Sequence, residues 1–478
     1  MSPHPDRETD ELDAVAPDPS DLSRADALRN RERILEAAKL LLAQSPSASL
    51  ADIAAAASVS RSTVYRRFSD REELLAALRE RPEEPALRER DEALPPGRLG
   101  RVRALELDAI HVFDVVPPAV LPEQLVAEAE RIAGVPVALY VLDIDGTHLL
   151  RLAGADRLPD QIRAPLAIGP ELDADGLAEL RDFLGSVPDA EAFPLWLRGR
   201  AVGVLIAFGE PERSLTEMAR QAAAAVTLAD RYSDVFAKAQ RRKQPKAAAE
   251  IQQSLLPPRV SRVSGGEVAG NVLPSYEVAG DWFDVIENAD GVWVTLADGL
   301  GGSTRATASS AVALGALRAS RRSGATASEA LVVMHQTLRE LPGPRAEMTA
   351  VIARWDPRSG DLVVSNCGHV APVVIRAEGE TAHLDTGPGR GLGGRARPRP
   401  LERSDSLEPG DRLVMVSDGV VKRGEGKAGL GIDGVIEAAL SSARDTAAHT
   451  VRQIHTAVLE TSAGELDDDA TAVCLSVG

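Results

Sequence analysis

"TLADGLGGS" (295–303) ends a β-prone run, Val292 to Leu296, on a single acidic residue, Asp298, and then sets three glycines within four positions. A carboxylate at a strand end, on backbone relieved of side chains, suits a group that must come close to the main chain. The arrangement recurs. "EVAGDWFDV" (277–285) puts Asp281 and Asp284 just before the strand leading to Asp298. "GDRLVMVSDGV" (410–420) is an apolar strand followed by Asp418 and Gly419, and "LDDDATAVCLSV" (466–477) sets Asp467, Asp468 and Asp469 before another strand. Any one of these is a common turn or surface motif. Taken together, four acidic stations beside apolar β sequence can converge at one sheet edge, where they would repel unless cations neutralised them. Hard oxygen donors without His or Cys favour Mg²⁺ or Mn²⁺ over zinc.

"AAEIQQSLLPP" (248–258), "VAGDWFDV", "ADGLGG", "NCGHVAP", "LEPGDRLVMVSDGV" and "DDDATAV" stand in order along residues 247–478. This string resembles the PPM-type metal-dependent protein phosphatases, in their SpoIIE-like bacterial branch. The resemblance implies an α+β phosphatase β-sandwich flanked by helices. It also implies two divalent cations, Mn²⁺ or Mg²⁺, and hydrolysis of phosphoserine or phosphothreonine on a regulatory protein such as an anti-anti-sigma factor. Carried over, Asp298 bridges the two metals and is the catalytic centre, and Gly299 offers its carbonyl to one metal. Asp281, Asp418 and Asp468 complete the shell, with Asp284 and Asp469 as alternates. Asp468 is preferred because it stands three before Thr471. Leu300, Ser303 and Lys422 depart from the family's usual residues without removing a ligand. The rival reading is a transcription regulator whose phosphatase-like domain senses metal without turnover. "GRGLGG" (389–394) fits G-x-G-x-x-G, but "RARPRP" (395–400) cannot open a helix, so no dinucleotide site is expected.

A second constellation lies far upstream. In "SLADIAAAASVSRSTVYRRFSDREELL" (49–75), Ser49 with Asp52 makes a capping box, Ser60 can cap the next helix, and Ser69 with Glu72 forms another box. Short helices joined by Ser58-Val59-Ser60 make a helix-turn-helix. Its second helix presents Ser60, Arg61, Ser62, Thr63, Tyr65 and Arg66 for duplex DNA, while Val64 and Phe68 face the core. Residues 24–81 hold 11 Arg/Lys and 8 Asp/Glu, a net of +3 inside a chain of −18, which suits phosphate contacts. "IAAAASVSRSTVYRRF" (53–68) resembles the DNA-binding head of the TetR family, although no TetR-like all-helical ligand domain follows.

These readings divide the chain into an acidic, Pro-rich tail expected to be disordered (1–22), an all-α helix-turn-helix head (23–82), a linker (83–117), a middle domain (118–235), a linker helix (236–258) and the phosphatase (259–478). In the middle domain a helix runs from Pro122 to Ile132. "ALYVLDIDGTHLLRLAG" (138–154) reads as two strands around Asp145-Gly146, and "FPLWLRGRAVGVLIAFG" (193–209) as a hairpin turning at Arg198–Arg200. This layout resembles an α+β GAF-type sensory domain. A long Ala-rich helix is expected from about Leu215 to Arg242, broken by Pro245. Its Ala225, Leu228, Tyr232 and Val235 are expected to be core or a homodimer seam. His148 is expected to be exposed or packed, not a ligand. The two cysteines make no CxxC pair. No apolar run reaches the ~18–20 residues of a membrane helix, and no export signal stands at the start. Together these fit the cytoplasm.

Overall fold

The computed structural model describes residue 38, residues 49–56, residues 64, 68 and 74, and residues 116–478. Within the last span, 157, 165–167, 185–189, 275–279, 300–303, 386, 388, 423–428, 442–445, 463–465 and 467 are excepted. The chain divides into two compact units, Met1–Gly100 and Arg101–Gly478.

In the first unit, helix α1 spans Leu50–Ala56. It starts at the expected reciprocal cap: the Ser49 amide donates to Asp52 Oδ2 at 2.9 Å, and the Asp52 amide to Ser49 Oγ at 3.3 Å. Ala38, Ile53, Val64, Phe68 and Leu74 are buried, and the Phe68 amide donates to the Val64 carbonyl. Val64 and Phe68 thus face inward, as their spacing requires. The tail and Ser60, Arg61, Ser62, Thr63, Tyr65 and Arg66 lie outside the described residues.

The second unit opens with helix α2 (Leu121–Ala133) and a five-stranded antiparallel sheet. Its strands are β1 (Val137–Leu142), β2 (His148–Gly154), β3 (Gln161–Arg163), β4 (Ala190–Leu197) and β5 (Arg200–Phe208), in the order β3-β2-β1-β5-β4. The Asp143 carboxylate accepts from the amides of Thr147 and His148, fixing the expected β1–β2 turn. The β4–β5 hairpin turns on Arg198 and Gly199, at φ 48° and 88°, the left-handed pair that matches strand twist. One sheet face packs against α2 and α4 (Thr216–Ala229). The other packs against α3 (Ala174–Leu184) and nearby loops. The single helix expected from Leu215 to Arg242 is not formed. α4 stops at Ala229, and a short α5 (Val235–Ala239) follows, with the Ser233 hydroxyl accepting from the Val235 amide. Local polar side chains compete with helix continuation there. Helix α6 (Ala247–Leu255) begins after Pro245 and ends before Pro257-Pro258, as expected.

Residues from 260 on form a four-layer α/β/β/α sandwich. One sheet contains β8 (Trp282–Asn288), β9 (Gly291–Gly299), β10 (Met348–Trp355), β11 (Asp361–Cys367) and β14 (Leu401–Ser406), in the order β14-β11-β10-β9-β8. The other contains β6 (Val260–Val263), β7 (Gly266–Leu273), β12 (Val373–Ile375), β13 (Thr381–His383), β15 (Arg412–Val416) and β16 (Ala470–Val477), in the order β13-β12-β15-β16-β7-β6. Every named pairing in both sheets is antiparallel. On β9, Val292, Val294 and Leu296 point between the sheets. Trp293 and Ala297 point to α7 (Thr304–Arg322) and α8 (Ala327–Glu340). On β16, Val473, Leu475 and Val477 point inward, while Ala470, Ala472 and Cys474 meet α10 (Gly431–Leu440) and α11 (Ala447–Ser462). Burial on both faces explains why these strands read as unbroken apolar runs.

Candidate metal centre

Strand register brings the acidic stations together. Trp282 of β8 pairs with Ala297 of β9, so Asp281 and Asp298 leave the first sheet side by side. Val416 of β15 pairs with Ala472 of β16, so Asp418 and the Asp468-Asp469 pair leave the second sheet at the same end. Glycines set the spacing. A Cβ on Gly280 (φ 140°) would stand 2.9 Å from the Gly299 carbonyl oxygen, and one on Gly419 would overlap the Asp469 carbonyl oxygen. Short α9 (Asp418–Val421) starts on Asp418 itself.

Asp281 is buried, and its Oδ2 accepts from the Thr471 hydroxyl at 2.5 Å. Burial, then the charges of Asp298 and Asp469, push its carboxyl well above the usual range. Burial, then Asp418 and Asp468, push Asp298 up to about 7. Asp468 is raised as well, by burial and by Asp418. Among the described residues, no arginine pairs with Asp281, Asp298, Asp418 or Asp468. Lys422, an exposed side chain, has its Nζ 3.7 Å from Asp418 Oδ2.

The two alternates separate. Asp284 points away from the cluster and is held by Arg318 and Arg321 of α7, each at 2.9 Å. Asp469 is buried and structural: its Oδ2 accepts from the amides of Gly280 (3.0 Å) and Asp281 (3.2 Å) and from Gln252 Nε2 (2.6 Å). Gln252 also donates to the Asp281 carbonyl at 2.9 Å. Gln252, on α6, was not singled out in the sequence; its only signal is that it lies within the quoted "AAEIQQSLLPP". Ser310 was missed too; it donates to the Gly280 carbonyl at 2.7 Å. His369 of "NCGHVAP" is buried and kept neutral, its pKa lowered to about 4 by burial against a smaller opposing pull from Asp418.

Hard oxygens, carboxyls raised by burial and by neighbouring carboxylates, and glycines that open the backbone fit divalent cations of the Mg²⁺ and Mn²⁺ kind. Among the described residues, no three His, Cys, Asp or Glu side chains wrap a single point. Asp298 faces both Asp281 and Asp418, a donor set of the sort Mg²⁺ accepts because it keeps several of its waters. Leu300, Ser303 and Asp467 lie outside the described residues. No helix opens after "GRGLGG"; Leu392 instead pairs with Met348. His148 is half-buried, with Nδ1 at 2.9 Å from the Thr147 hydroxyl.

Residues 288–478 match the model of the family Stage II sporulation protein E (SpoIIE), and residues 34–78 that of bacterial regulatory proteins, tetR family. The HTH-type transcriptional repressor LfrR of Mycolicibacterium smegmatis is 58% identical over 50 residues, which is 10% of this chain and 26% of that protein. Among solved structures, the RsbU and RsbW domains of Rv1364c from Mycobacterium tuberculosis are 23% identical, covering 46% of this chain and 63% of that one, with a TM-score of 0.40. The PP2C phosphatase domain of SpoIIE from Bacillus subtilis, with a fragment of its regulatory domain, is 17% identical, covering 45% and 65%, with a TM-score of 0.38. The chain thus spans about a quarter of the repressor's length and under two thirds of each of these two structures. It carries a SpoIIE-family domain, of the PPM phosphatase class, over residues 288–478 and a TetR-family helix-turn-helix domain over residues 34–78.

Proposed function

We propose that this chain is a cytoplasmic metal-dependent protein phosphatase that removes phosphate from phosphoserine or phosphothreonine on a regulatory protein. An anti-anti-sigma factor is the substrate of choice, and a duplex-DNA-binding head rides on the same chain. The carrying observation is the group of carboxylates at one end of the sandwich that meet no arginine among the described residues. Two like charges about 4 Å apart repel by about 4 kcal/mol at an effective dielectric of 20, a tension that two Mn²⁺ or Mg²⁺ ions relieve.

In this reading Asp298, the Gly299 carbonyl, Asp281, Asp418 and Asp468 would hold the two ions, with Asp298 shared between them. When bound, the pair of ions supplies an acidified water and neutralises phosphate charge. The chain's own work is positioning. Thr471 fixes the Asp281 carboxyl. Asp469 holds the Gly280 and Asp281 amides, and the bare Gly280–Gly299 contact leaves room for a phosphate. The experiment is a manganese titration of phosphopeptide hydrolysis by the full-length protein. Metal-dependent turnover supports the reading; binding of manganese with no turnover would favour a non-catalytic sensor.

The order β3-β2-β1-β5-β4, with helices on both faces, supports a GAF-like sensory role for residues 118–235. Leu228 and Tyr232, 59% and 75% exposed, offer an apolar strip for a homodimer seam. Helix α6 joins that domain to the sandwich and reaches Asp469 through Gln252, so removing residues 1–235 is expected to alter the metal requirement. For the head, Arg61→Ala and Arg66→Ala are expected to weaken DNA binding measured by gel shift, and wild-type binding to fall steeply with salt.

A further inference from the structure

Between the middle sheet and the sandwich lies a cavity of about 530 Å³, larger than a lone ion needs and within the range of small-molecule sites. Its floor is β1 and β5, one wall is α4 and α5, and α6 with Pro257–Arg259 closes it. Two of its arginines are almost wholly buried, Arg200 at 6% and Arg259 at 5% exposure.

A single buried carboxylate serves both. Glu171 Oε1 lies 2.9 Å from Arg200 Nε, and its Oε2 accepts from the Val260 amide at 3.0 Å. Arg259 has neutral partners: Gln253 Oε1 at 2.6 Å and the Pro257 carbonyl at 3.4 Å. Its Nε is buried and meets no acceptor among the described residues. The Arg241–Glu250 pair at the rim is already balanced, at 2.8 and 2.6 Å. Two guanidiniums and one carboxylate leave a buried excess of one positive charge, and a buried charge without its own counter-ion is costly. Burial accordingly pushes Arg259 down to about 10 and Glu171 up.

We propose that this cavity binds a small organic anion, with its phosphate or carboxylate group seated against Arg200 and Arg259 and its body on the apolar floor. Such a molecule supplies the missing charge and bridges β5 to Arg259, whose guanidinium donates to Gln253 of α6. Gln253 and Ser254 of α6 line the cavity, one and two residues beyond Gln252, which holds Asp469. An anion there therefore favours the docked helix and, resting on the proposed phosphatase reading, the assembled carboxylate cluster.

The test is calorimetry on full-length, metal-free protein, so that binding is read without turnover and its failure leaves the phosphatase reading untouched. AMP and citrate are the probes, one bearing phosphate and the other carboxylates, with uncharged adenosine as control. The expected result is saturable binding of AMP or citrate but not adenosine, weakened about tenfold in Arg259→Gln. It should also be abolished in Ser254→Trp, which fills the cavity from an exposed helix position. Should Arg259→Gln fail to fold, Ser254→Trp decides alone. Which probe binds identifies the anionic group. No binding of either probe, equal binding of adenosine, or binding unchanged in the folded variants would overturn the proposal.

Discussion

Two sets of carboxylates in the second unit have opposite surroundings. Asp143 pairs with Arg242, Glu171 with Arg200, Asp284 with Arg318 and Arg321, and Asp411 with Arg376. Asp281, Asp298, Asp418 and Asp468 face chiefly one another. Asp281 and Asp284 sharpen the contrast, because only Trp282 and Phe283 separate a carboxylate in the cluster from one locked to arginines. Charges that serve the fold bring their counter-ions with them. The second set meets no arginine among the described residues, and it is the one proposed above to take cations from solution.

The largest expected effect breaks the second set. Asp298→Ala should cut metal-dependent phosphopeptide hydrolysis by orders of magnitude, while the metal-free melting temperature holds or rises because a repelling charge is gone. Near-wild-type turnover in folded protein would end the bridging role. Asp284→Ala attacks the first set and should do the reverse. It strands Arg321 in a buried position, costing about 3 kcal/mol of stability by denaturant titration, with turnover per folded molecule little changed.

Burial acts with the other sign on His455 of α11, which it holds neutral with a pKa of about 4. Its unfolded value is about 6.5, so the stabilisation is complete above pH 6.5 and is lost as pH falls towards 4. The amount is about 3 kcal/mol. His455→Leu should flatten that part of the stability–pH curve, and a variant with an unchanged acid limb would place the titration elsewhere. The smallest effect is expected at Gln252→Ala, which removes one donor to Asp469 Oδ2. Half-maximal activity should need about tenfold more Mn²⁺, equivalent to about 1.4 kcal/mol; superimposable titrations would reduce α6 to a tether.

Much of this was legible in the sequence because apolar strands ending on Asp-Gly leave a strong local mark. The Ser49–Asp52 cap, the two hairpins of the middle domain and the acidic stations all stand where local pattern put them. What was not legible depends on partners remote in sequence. Arg318 and Arg321 decide Asp284 from more than thirty positions away. Gln252 finds Asp469 across 217 residues, and no local pattern distinguishes it from neighbouring Gln253. The break after Ala229 was missed because alanine's helix preference was allowed to outweigh the polar segment that follows it.

Strand β16 is an inner strand of its sheet, hydrogen-bonded to β15 on one side and to β7, some two hundred residues earlier, on the other. The order of synthesis therefore matters. As the ribosome delivers the chain, the head and the middle sheet can close on local contacts, whereas β7 must wait with an open edge until residues 470–477 emerge. The same strand follows Asp468 and Asp469 directly, so completing the sheet and completing the acidic cluster are one event. A chain released before that point would keep its head and lose both the sandwich and the acidic cluster.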